Sequence, residues 1–278
     1  MFNARRMVVL ACQLFVGACV LLCVVTITKS SDREIKTMNQ NQFLAKDKQG
    51  TAVVFEWFKT SMFSPALAAV LKDAWTFARD AYTPVEMQFL QEFPDLVGKE
   101  AYFKPFELLF KDGVAKVDWA AATTVMQSIL QGHFIFDPTK FPENVIKAYE
   151  NDSCFFVTVK DATSGKALGF IAFLMRANYP AGVVKVMYLA VNTAHQNRGL
   201  GKLLMSSLFK IVPDVKRIFL CTRVTNETAL RAYRSWGFVN DENPIFDHAF
   251  NLEHWMFMEY KAEKQVILQQ VASEISAK

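Results

Sequence analysis

Within this 278-residue chain, Gln196-Asn-Arg-Gly-Leu-Gly201 has the residue types and spacing best suited to chemistry. Gly199 and Gly201 lack a Cβ, so main-chain N–H groups there can approach an anion directly. The helix predicted to open at this point adds the partial positive charge of its N-terminus. Arg198 and Lys202 place full charges beside it. Such a site would grip a phosphate or diphosphate. Two other glycine-rich phosphate loops are excluded. A Walker loop needs Gly four residues before its Gly-Lys and Ser or Thr after it, where this chain has Gln196 and Leu203. A dinucleotide fingerprint needs a third Gly where Leu204 stands.

A second cluster lies about 25 residues further on, in Thr225 to Phe238. Asn226 opens a predicted helix, Ala229 follows at +3, Tyr233 at +7 and Gly237-Phe238 at +11. A lone Tyr on a helix is ordinarily a core aromatic, and Trp236 and Phe238 read as packing residues. Arg231 and Arg234 read as a solvated face.

Together the two segments resemble the GNAT acetyltransferases. That family's acetyl-CoA loop reads Gln or Arg, two residues, Gly, one residue, then Gly or Ala. Gln196, Gly199 and Gly201 match it, directly after a predicted strand. The Asn226, Ala229, Tyr233 and Gly237-Phe238 pattern matches the family's later helix. The likeness covers roughly residues 100–261 and is specific over about 183–240. It implies that main-chain groups of Leu189, Ala190 and Val191 pair with the pantetheine arm like an added strand. It further implies that Gln196, Asn197, Arg198, Gly199, Leu200, Gly201 and Lys202 hold the pyrophosphate and that Asn226 contacts the arm. Tyr233 would protonate the departing thiolate. The co-substrate would be acetyl-CoA and the acceptor an amine, small-molecule or protein, attacking the thioester directly. Strand 183–191 carries no Asp or Glu, so Tyr188, His195, Glu253 and His254 are the candidate bases. A catalytically silent acyl-CoA-binding module, with residues 51–115 mediating a protein interaction, is the alternative.

The elements that must position these residues read as helices, then a strand meander, then strand–helix–strand–helix–strand. This predicts an α/β fold, a mixed and largely antiparallel sheet flanked by helices. Residues 30–50 read as a linker or a loosely held helix, and 51–98 as mostly helical and broken at Pro65, Pro84 and Pro94. Ala101–Phe110 suits a first strand. Asp118 would cap a helix through Leu130, and Pro142–Tyr149 would form another. Strands are expected at Cys154–Lys160, Ala167–Met175, Val183–Val191, Arg217–Cys221 and Leu252–Tyr260. Helices are expected at Leu200–Ile211 and Asn226–Trp236. The domain plan is an N-terminal segment over 1–29, a linker and helical extension over 30–99, an acetyltransferase-like domain over 100–261 and a tail over 262–278.

Met7 to Thr28 holds no charged residue, and Arg5, Arg6 and Lys29 flank it. Twenty-odd helical residues cross a hydrocarbon core of about 30 Å, so a single-pass membrane anchor is expected, with a cleaved export signal as the alternative. Basic residues on both flanks leave its orientation open. Cys12, Cys19 and Cys23 lie in that stretch. Cys154 and Cys221 sit in strand-like runs without CxxC or His spacing, which predicts buried thiols and no metal. With 31 basic and 27 acidic residues and no basic stripe, no nucleic-acid partner is expected.

Overall fold

The computed structural model describes residues 41–60, 65–97, 99, 103–134, 151–212, 214–245 and 254–277. Among them, nine strands form one sheet. They are β1 (Asn41–Lys46), β2 (Ala52–Thr60), β3 (Ser153–Asp161), β4 (Ala167–Met175), β5 (Val183–Val191), β6 (Arg217–Arg223), β7 (Val239–Asn240), β8 (Trp255–Lys261) and β9 (Ser276–Ala277). Their order is β7-β8-β6-β5-β4-β3-β2-β1-β9, antiparallel everywhere except at β5–β6. The described helices are α1 (Pro65–Glu92), α2 (Trp119–Phe134), α3 (Leu200–Ile211), α4 (Glu227–Ser235) and α5 (Ile267–Ser273). The fold is the expected α/β arrangement.

β4 runs Leu-Gly-Phe-Ile-Ala-Phe-Leu with every side chain buried, as a strand covered on both faces requires. One face meets α3, whose Leu200, Leu203, Leu204, Leu208 and Ile211 enter a core with Val157, Ile171 and Tyr260. The other meets α1 through Leu71, Ala74 and Ala78, against Phe156, Phe170 and Ala190. A third cluster joins α1 to α2 through Phe89, Leu90, Ala122 and Met126. Asp118 caps α2 as expected, accepting from the N–H groups of Ala120 and Ala121.

Several expectations are corrected. Residues 52–60 form β2 rather than helix. Their run of Val, Phe and Trp favours a pleated surface, and β2 pairs along its length with β3. Part of the expected linker forms β1. Pro84 does not break α1. Proline removes one helical hydrogen bond, but the buried faces on both sides of Pro84 hold the helix to the sheet and to α2. No strand forms within 103–110. Phe103 and Phe106 reach the α1–α2 core by their three-residue spacing through a 3-10 turn at Lys104–Phe106. Residues beyond 261 are no loose tail: Leu268, Ala272 and Ile275 are buried, and β9 pairs with β1. The sheet therefore draws in both 41–60 and 276–277, well outside the expected 100–261 domain.

The expected anchor, the helix at Pro142–Tyr149 and Glu253 lie outside the described residues. Among the described residues, no helix is long and apolar enough to cross a membrane.

Candidate functional site

The site begins where the sheet opens. β5 and β6 pair only from Val183↔Arg217 to Lys185↔Phe219, and beyond Lys185 they separate. β5 stays on β4 as far as Val191, with a register shift between Ala172 and Phe173. The far half of β5 therefore has an edge facing a gap rather than a strand. At Leu189 that edge is taken from within. The Tyr82 hydroxyl, on α1, donates to the Leu189 carbonyl at 3.0 Å and accepts from the Leu189 N–H at 3.0 Å. Burial pushes the Tyr82 phenol up to about 12, so it stays a neutral donor and acceptor near neutral pH.

Polar groups of successive residues alternate sides along an antiparallel strand. With those of Leu189 on the gap side, those of Ala190 turn to β4. The expectation that three consecutive residues offer main-chain groups to a ligand is therefore corrected. Ala190 is committed to the sheet, and Leu189 is engaged by Tyr82.

One turn further along α1, Glu86 reaches the opposite wall of the gap. Both its oxygens accept from Arg223, the last residue of β6, at 2.9–3.1 Å. The Arg223 guanidinium lies 4.0 Å from the centre of the Phe89 ring and 4.1 Å from that of Trp255. Both partners are buried. Such a charge pair is tolerable only because its hydrogen bonds are met and aromatic faces cover the cation. α1 thus spans the diverging strands, bound to β5 through Tyr82 and to β6 through Glu86.

The predicted anion loop follows β5. Asn192 accepts from the Ala194 N–H and opens a 3-10 turn at Thr193–His195. Asn197 and Gly199 both adopt positive φ, at 63° and 80°. Helical bonding starts with Leu203 N–H to the Gly199 carbonyl at 3.1 Å, leaving the first amides of the helix unpaired. The N–H groups of Asn197, Arg198, Gly199, Leu200, Gly201 and Lys202 consequently have no hydrogen-bond partner among the described residues. Gln196 differs from the expectation, since its N–H turns back to the Thr193 carbonyl.

The two glycines are required for other reasons than open space. A Cβ on Gly199 would sit 2.9 Å from Cγ of Lys48, in a backbone conformation that side chains avoid. A Cβ on Gly201 would lie 3.2 Å from the Trp236 ring. Arg198 is also reassigned. Its guanidinium donates to the buried Asp47 carboxylate at 2.6 Å and lies 2.9 Å from His195 Nδ1, so its charge is already matched.

Asn226 caps α4. Its Oδ1 accepts from the Ala229 N–H, and its Nδ2 donates to Thr222 Oγ1. The side chain expected to touch a ligand is thus employed first in fixing the helix that carries Tyr233. The Tyr233 ring packs edge-on to Trp236 and against Phe238. Its hydroxyl has no hydrogen-bond partner among the described residues. Burial raises its pKa above the ordinary phenol value, with Tyr82 and Cys221 near enough to add to the effect. The candidate bases fare differently. Burial also raises the phenol pKa of Tyr188. His195 faces Arg198, and His254 is buried edge-on to Phe89 and Phe93.

Cys154 is buried and Cys221 half-buried, and neither forms a disulfide. Among the described residues no three His, Cys, Asp or Glu side chains gather as a metal site. Sequence reasoning missed Tyr82, Glu86, Asp47 and Lys48. They belong to no motif and meet the site only through tertiary contacts. The single available signal was the polar turn Asp47-Lys-Gln-Gly50.

The site is thus an open sheet parted beside a strand-to-helix loop whose amides have no partner among the described residues, with the Tyr233-bearing helix next to it. Residues 122–238 match the model of the acetyltransferase (GNAT) family, and this stretch of the chain is a GNAT acetyltransferase domain, an N-acetyltransferase by class. No curated protein gives a significant match. Similar solved structures include the PaiA N-acetyltransferase from Thermoplasma acidophilum in complex with coenzyme A, at 13% identity over 74% of this chain and 98% of that one, with a TM-score of 0.38. A GNAT-family acetyltransferase from Staphylococcus aureus is 17% identical over 43% of this chain and 74% of its own, at a TM-score of 0.35. A spermidine/spermine N-acetyltransferase from Vibrio cholerae is 17% identical over 52% and 76%, at 0.33.

Proposed function

We propose that the chain transfers an acetyl group from acetyl-CoA to an amine, and that Tyr233 gives its proton to the leaving sulfur. The observation carrying this reading is the run of six amides, Asn197 to Lys202, left without partners at the start of α3. Their concentration at a helix N-terminus suits a diphosphate. Acetyl-CoA supplies the activated acyl group. The amine nitrogen forms the new bond to the acyl carbon as the carbon–sulfur bond breaks. Tyr233, held neutral by burial, is the proton donor to the sulfur, and the proton shed by the acylated nitrogen makes good the one the phenol has lost. Asn226 acts by capping α4 and so setting the position of Tyr233.

The full chain is to be mixed with acetyl-CoA and a panel of amines while thiol release is followed. Tyr233→Phe is expected to lower turnover about a hundredfold and leave coenzyme A affinity within about twofold. Equal turnover in the variant would remove Tyr233 from the chemistry.

One observation favours the second reading, a silent acyl-CoA-binding module: β5, Val183–Val191, carries no Asp or Glu to serve as a general base. Coenzyme A uptake without thiol release on any amine would select it.

A further inference from the structure

The turn between β1 and β2 sits on the anion loop, although about 150 residues separate them in sequence. We propose that this turn is a working part of the coenzyme site: Lys48 supplies a phosphate-binding cation laid across Gly199, and Asp47 is the positioning residue that keeps Arg198 away from the ligand. The inference rests on the reading of 197–202 as the diphosphate grip.

Asp47 is built as an anchor. Its Oδ1 accepts from the N–H groups of Gln49 and Thr51, which shapes the turn, and its Oδ2 accepts from Arg198. Arg198 would otherwise be the natural phosphate ligand of the loop, and this bond removes it. Lys48 then makes two contacts. Its N–H donates to the Arg198 carbonyl at 3.0 Å. That carbonyl belongs to the residue before the Gly199 N-cap, so the bond ties the β1–β2 turn to the main chain of the loop where the helix begins.

The Lys48 side chain follows the same path. Its Cγ, Cδ and Cε lie 2.9, 3.3 and 3.3 Å from the place a Gly199 Cβ would take, so the stem lies flat on the loop. The ammonium is one bond beyond Cε, which itself lies 3.3 Å from the Gly199 Cβ position, and so within reach of the loop. Lys48 is exposed and its charge has no ion-pair partner among the described residues. A dianionic ligand seated on those amides would have this cation as its lid. The site thereby depends on residues far outside the 122–238 family match.

Calorimetry on the full chain tests the proposal, using coenzyme A at low and raised salt and pantetheine, which has no phosphate, as the probes. Lys48→Met is expected to weaken coenzyme A roughly five- to tenfold at low salt and to flatten the salt dependence. Pantetheine binding is expected to stay as in the parent. Lys48→Arg should restore the affinity, and Lys210→Met, exposed at the far end of α3, should change nothing. Parent-like coenzyme A affinity and salt dependence in Lys48→Met would overturn the role of Lys48 while leaving the proposed function standing. An equal loss for pantetheine would overturn it too, since the stem would then be only a packing element. Failure of the parent protein itself to take up coenzyme A would overturn both readings.

Discussion

Leu189 and the loop 197–202 both expose main-chain polar groups because a neighbouring element turns away, yet only the first is filled by the protein itself. At Leu189 the departing element is β6, and one phenol replaces both of its missing bonds. In the loop the departing element is the first turn of α3, and six N–H groups are left for something outside the described residues. The contrast follows from chemistry. A strand edge alternates donors and acceptors, so a hydroxyl, which is both, can satisfy it. A helix N-terminus offers donors only, and an anion answers it best. The filled place thus holds strands in position, while the open one offers the donors that the proposed diphosphate would meet.

The largest effect expected from this contrast falls on the staple across the filled gap. Glu86→Ala leaves the buried Arg223 guanidinium without its carboxylate. Removing one partner of a buried pair costs about 3–5 kcal/mol, and the loss is to be read from urea unfolding of the full chain. Arg223 keeps its stacking on Phe89 and Trp255. A loss well below 1 kcal/mol would mean that the rings, not the carboxylate, hold α1 over the gap.

A smaller effect sharpens the comparison at Leu189. Tyr82→Phe keeps the ring and leaves two main-chain groups unsatisfied, at a cost of roughly 1–3 kcal/mol in the ligand-free protein. A ligand whose amide pairs with Leu189 would recover that cost. Coenzyme A should then bind roughly tenfold more tightly to the variant than to the parent. Unchanged affinity, measured alongside the stability loss, would show that the ligand never uses Leu189.

This division also explains how much was legible beforehand. The order of the longer strands and helices from Cys154 to Tyr260 could be read, because α3 carries an apolar stripe and α4 a cap at Asn226, both of local origin. The glycine-punctuated loop was legible because Gln196, Gly199 and Gly201 lie within six residues, whereas Asp47 and Lys48, which hold it, do not. Tyr82 was not, since only the divergence of β5 from β6 gives its hydroxyl a task. Arg198 was misread because its neutralising carboxylate arrives from β1–β2. Residues 51–60 were misread as helical although their Val, Phe and Trp suit a strand, which takes its place between β1 and β3. Pro84 was misread as a stop because the packing that holds α1 together is tertiary.

The smallest effect concerns acid and the anchor beneath the open loop. Burial alone would raise the Asp47 pKa, but hydrogen bonds from Arg198, Thr51 and Gln49 hold it below its ordinary value. The folded protein therefore keeps this carboxylate charged where the unfolded chain has begun to protonate. In that window the unfolded state binds more protons, so stability rises with pH. The contribution of Asp47 is complete above its ordinary value of 3.8 and fades as pH falls through the lowered folded value. Asp161 titrates in the same direction from its own turn, so the parent profile alone does not isolate Asp47. Asp47→Asn does: the variant should be less stable at neutral pH and should lose less on acidification. Thermal melts at about pH 6 and about pH 3 make the comparison. Parallel losses in parent and variant would mean that Arg198 stays in place without this carboxylate, and that the loop needs no anchor from β1–β2.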